Sequence, residues 1–79
     1  MSDSQALAEE ERRIRQLQRT VDLALLYLSR APLDRKAAEE LVDQVRAKAL
    51  ELFPGKEETF DLIYQPRFNR VLAERFGLH

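Results

Sequence analysis

The chain has 79 residues, 13 basic and 14 acidic side chains, a net charge of −1 and no cysteine. A chain of this length has room for one core, and the missing cysteines exclude disulfides, thiolate metal sites, iron–sulfur clusters and cysteine nucleophiles. A domain this small buries only roughly 60% of the surface its unfolded chain exposes, so regular helix packing or a partner has to supply the stability.

The opening residues Met1-Ser2-Asp3-Ser4 lack the basic start and apolar run of a signal peptide. No stretch reaches the roughly 18 apolar residues of a membrane span. The expectation is a cytoplasmic protein with no membrane role. Two proline-marked breaks, Ser29-Arg30-Ala31-Pro32-Leu33-Asp34 and Phe53-Pro54-Gly55-Lys56, divide the chain into three segments.

The first segment predicts a helix over about 4–30, with Ser4 as N-cap. Glu9, Glu10 and Glu11 precede Arg12, Arg13, Arg15 and Arg19, an order that suits the helix dipole and places Glu9 and Glu11 four residues before Arg13 and Arg15. Leu7, Ile14, Val21 and Leu28 recur every seven residues, with Leu17 and Ala24 between them, as in a coiled-coil seam that Glu10 interrupts. From Val21 to Leu28 apolar groups surround the helix, which predicts burial against more than one neighbour.

The second segment predicts a helix over about 34–53, capped by Asp34, with Leu33 stapled against Ala38. Ala38, Leu41, Val42, Val45, Ala49, Leu52 and Phe53 share one face. In the third segment Phe60, Ile63, Tyr64, Phe68, Val71, Leu72 and Phe76 keep one helical phase across Pro66. Proline removes a hydrogen bond and restricts the residue before it. Helices over about 57–64 and 66–76 with a break at Gln65-Pro66, and Gly77 as the final cap, are therefore expected. A strand over 59–64 fits the local propensities but has nothing to pair with. The fold expected is all-α: one domain over 1–79, a long helical hairpin plus a proline-kinked third segment, making a three- to four-helix bundle.

Little in the chain suits catalysis. The single histidine, His79, is the last residue, and Glu57, Glu58 and Asp61 occupy early helical turns that the dipole stabilises without any metal. Asp22 shares a helical face with Arg15, Gln18 and Arg19, which favours exposure, while Tyr27 and Tyr64 read as core aromatics. No phosphate-binding glycine loop or nucleophile motif occurs. The sequence therefore proposes no catalytic residue, metal ligand or cofactor, and does not read as an enzyme.

Two readings of function remain. Arg67, Asn69, Arg70 and Arg75 form a cluster suited to phosphates and base edges. The slightly acidic chain lacks the strongly basic face of a nucleic-acid binder, which makes this the weaker alternative. The stronger reading is protein association, as a homodimer or homo-oligomer or as an adaptor for a larger protein. A helix over 4–30 is roughly 40 Å long against about 30 Å for one over 34–53, so the N-terminal turns should overhang. The seam of Leu7, Ile14, Leu17 and Val21 is then the expected association surface.

Overall fold

A computed structural model of the protein describes residues 2–77. Four helices follow one another: α1 (Ser2–Arg30), α2 (Arg35–Leu52), α3 (Glu57–Ile63) and α4 (Gln65–Phe76), with no strand among the described residues. Residues 59–64, the one candidate strand, belong to α3 and the turn after it. His79 lies outside the described residues.

Local chemistry accounts for most of the boundaries. Asp34 stands in extended conformation, with φ −82° and ψ 173°, and its Oδ1 accepts from the Ala37 amide at 2.8 Å. Phe53 closes α2 by donating its amide to the Ala49 carbonyl at 2.8 Å, and the turn that follows passes through Gly55 at φ +80°. Gly77 caps α4 at φ +86°, where a side chain would strain the backbone. Two boundaries differ from expectation. The first helix starts at Ser2, so Ser4 lies in its first turn and is not the cap. The interruption in the third segment falls at Tyr64, one residue before the expected Gln65-Pro66 break, and Gln65 already belongs to α4. Restarting there puts Pro66 in the first turn of α4, where its missing N–H would have had no helical partner anyway.

α1 and α2 form the hairpin, and α4 packs against both. The core joins Leu17, Val21, Ala24 and Leu28 of α1 to Ala38, Val42, Val45 and Ala49 of α2, closed by Phe60 and Phe68. Phe68 is wholly buried, its ring 6.3 Å from that of Phe60. α3 packs on α2 and α4, and its backbone stays clear of α1. Arg46 of α2 holds it through a two-pronged hydrogen bond to Asp61, with Nε–Oδ1 at 2.9 Å and Nη2–Oδ2 at 3.1 Å.

The described chain measures 51 × 23 × 15 Å. The long dimension is set by α1, whose 29 residues span about 43 Å, against about 27 Å for the 18 residues of α2. Its N-terminal turns therefore project beyond the bundle, and residues 3–16 include no buried side chain.

Candidate association surface

The structure divides the four-residue seam. Leu17 and Val21, 9% and 1% exposed, belong to the chain's own core, packed against α2 and α4. Leu7 and Ile14 are 59% and 41% exposed, because α2 ends and α3 leans away before either helix can cover them. Where α1 leaves the bundle, that divergence opens an apolar cleft of about 240 Å³ between Leu17, Ala49, Leu50, Phe53, Phe60 and Ile63. Ile63, in phase with the core aromatics, is exposed at the rim of this cleft.

A second apolar surface lies elsewhere on α1. Leu23, Leu26 and Tyr27 are exposed and line a shallow groove with Pro32, Leu41 and Val45, in which Arg30 is the one charged lining residue. Residues 21–28 pack on two neighbours, α2 and α4, through Val21, Ala24 and Leu28, but the reading of Tyr27 as a core aromatic is corrected. Among the described residues only α2 and α4 pack on α1, so one side of the helix meets no other described element. Leu41 is half-buried at the groove edge, while Val45 beside it is buried.

Among the described residues the charges on the overhang have no ion-pair partner. The ion pairs among the described residues are Arg35–Glu39, Arg46–Asp61 and Lys48–Glu51. The expected Glu9–Arg13 and Glu11–Arg15 pairs do not form, as befits exposed side chains whose attraction barely offsets their ordering.

The C-terminal arginine cluster is not one continuous site. Arg75 turns inward, its Nη1 donating to the Leu28 carbonyl at 2.6 Å and its guanidinium 5.2 Å from the centre of the Phe76 ring. Asn69 accepts from Gln65 Nε2 at 3.0 Å. Arg67 and Arg70 stay exposed, with Arg67 beside Gln18, Asp22 and Tyr64 at the α1–α4 surface. Arg35, which no motif singled out, donates from Nη2 to the carbonyls of Phe76 at 3.1 Å and Gly77 at 2.6 Å. Its one sequence signal is its place in the first turn of α2, which does not reveal the distant helix end it serves.

No charged or polar side chain among the described residues is buried, and Asp22 is exposed. No three His, Cys, Asp or Glu residues among them gather as metal ligands. Among the described residues no helix is long and apolar enough to cross a membrane. The Asp61 carboxyl is held below the usual aspartate range by the hydrogen bond from Arg46, against a smaller opposing effect of desolvation. Compared with known proteins, the chain matches no family model, no curated protein and no solved structure.

Proposed function

We propose that this protein is a small association module, without catalytic activity, whose working element is α1. One observation carries the reading: of the seven large apolar side chains found exposed, Leu7, Ile14, Leu23, Leu26 and Tyr27 all belong to that helix. Clustered apolar exposure on a monomer usually marks an interaction site. The overhang around Leu7 and Ile14 suits a second copy of the chain, because a two-fold pair covers both stripes with one contact and leaves none open. The Leu23–Leu26–Tyr27 groove favours a second form of the same function, an adaptor, since a dimer through the overhang leaves that groove free for a larger protein. A reducing cytoplasmic setting agrees with the absence of cysteine.

Nucleic-acid binding through Arg67, Asn69, Arg70 and Arg75 is less favoured, because Arg75 and Asn69 are engaged within the chain. Light scattering over a range of concentrations tests the association reading. A concentration-dependent dimer that Ile14→Asp converts to a monomer with an unchanged circular dichroism spectrum supports it. A monomer at every concentration, or a dimer indifferent to Ile14→Asp, removes its basis.

A further inference from the structure

The charges along α1 bear on how two such copies face one another. Glu9, Glu10 and Glu11 come before Arg12, Arg13 and Arg15, and none of the six has an ion-pair partner within the described chain. Parallel pairing sets the acidic turn level with the partner's acidic turn and the basic turn level with its basic turn. Antiparallel pairing reverses this and sets acid beside base. Helical geometry narrows the register further. At about 100° per residue, Glu11 and Arg15 lie about 50° and 90° to one side of the Leu7–Ile14 stripe, whereas Arg13 lies about 110° to the other side and Glu9 about 150° from the stripe, near the back of the helix. Antiparallel helices bring the same flank of each together, so Glu11 of each copy can pair with the partner's Arg15. With the axis near Arg12 the two members of this pair stand two residues, about 3 Å, from level, a distance that the long arginine side chain spans.

We propose that a second copy of this chain lies antiparallel along the overhang of α1, with the two-fold axis at the level of Arg12, and that its Leu7 enters the cleft where α1 leaves the bundle. The inference rests on self-association through α1 and adds the orientation, register and receiving site. In this register Leu7 of one copy comes level with Leu17 of the other, the α1 residue that lines the cleft with Phe53 and Ile63. The divergence of α3 from α1 leaves room for the incoming turn. Glu10, the polar member of the stripe, comes level with the partner's Ile14, between the partner's Arg13 and Arg15. A polar seam residue satisfied in one register alone is a recognised way of selecting that register. The next turn carries Asp3 level with Val21, beside exposed Arg67. Arg67 stands in the first turn of α4, where the helix dipole disfavours a cation, and it has no carboxylate within 4.0 Å among the described residues.

The absence of native cysteine makes disulfide mapping of the full chain direct. Glu10→Cys and Ile14→Cys copies are oxidised separately and as an equal mixture, and Leu7→Cys and Ile63→Cys copies are treated in the same way. Linked peptides are identified by mass. The expected result is cross-linking confined to the mixtures, joining position 10 to 14 and position 7 to 63. Efficient cross-linking of the Glu10→Cys or Ile14→Cys copy with itself would show parallel pairing or an antiparallel register centred on that residue, and either would overturn the proposal. So would the absence of both mixed cross-links in a chain that light scattering shows to be dimeric, since association would then use another register or surface. The Leu7–Ile63 pair keeps Ile14 in place, so weakening of the seam by Ile14→Cys cannot hide the answer. A native chain that stays monomeric at every concentration fails at the earlier step, and takes both the association reading and this one with it.

Discussion

Arg75 of α4 donates to the backbone carbonyl of Leu28 at 2.6 Å and so ties the end of the fourth helix to the last turn of the first. The last four carbonyls of a helix have no partner within it, and Leu28 supplies one of those of α1, which ends at Arg30. Arg35 does the same for α4, reaching the Phe76 and Gly77 carbonyls. Both arginines place positive charge at the negative end of a helix dipole. At this end of the bundle the arginines join α1 to α4 and α4 to α2.

Arg75→Ala should therefore behave as a stability variant. A charged hydrogen bond of this kind contributes about 1.5–3 kcal/mol, and each kcal/mol moves the melting temperature of so small a domain by roughly 4–8 °C. A drop of roughly 6–24 °C in a thermal melt is expected. Arg75→Ala melting with the parent would mean that the Leu28 carbonyl is as well served by water.

Core and groove should separate cleanly under substitution. Phe68→Ala, at a wholly buried site, is expected to cost about 3–5 kcal/mol, enough to unfold much of the population. Leu41→Ala should cost less than about 2 kcal/mol, below the usual range for a buried leucine, because its side chain is half-buried at the groove edge. Leu23→Ser should stay within about 0.5 kcal/mol of the parent. Urea denaturation of the three variants gives the order, and a Leu41→Ala loss equal to that of Phe68→Ala would mean that the groove is closed in solution.

The Arg46–Asp61 pair predicts a small, signed dependence on pH. The Asp61 carboxyl titrates below the usual aspartate range because Arg46 hydrogen-bonds its charged form. Arg46 is raised, first by the same bond, and keeps its charge throughout. A depressed carboxyl stabilises the fold fully above its unfolded pKa of about 3.9. That contribution is lost as pH falls through the lower folded value. The two side chains are exposed, so salt should shrink the effect. Melting Asp61→Asn beside the parent should show a gap at neutral pH that closes below the aspartate range. A gap that persists unchanged in strong acid would assign the difference to something other than this ionisation.

Binding to DNA or RNA should be weak and steeply dependent on salt. Arg67 and Arg70 are the exposed arginines of the C-terminal cluster, and neutralising Z phosphates on duplex DNA lowers log K by about 0.9Z for each tenfold rise in salt. Fluorescence polarisation with mixed-sequence DNA and RNA at physiological salt is expected to show no specific complex. Submicromolar binding that Arg67→Ala with Arg70→Ala abolishes would restore the nucleic-acid reading over association.

The helices themselves were legible from the chain. A helix is a local structure, and its signals lie within a few residues: the Asp34 cap, the stops at Phe53-Pro54-Gly55 and Gly77, and the spacing that put Val42, Val45 and Ala49 on one face. The overhang of α1 also followed from lengths alone, since rise per residue is constant. Tertiary structure decided the rest. Whether Leu17 was core and Ile14 exposed depended on where α3 diverged, and whether Tyr27 was buried depended on which side of α1 lacked a neighbour. The partners of Arg35, Arg46 and Arg75 lie 15 to 47 residues away along the chain. Periodicity states which residues share a face, but it carries no information about which face meets which helix, because that is settled by how the assembled helices cross.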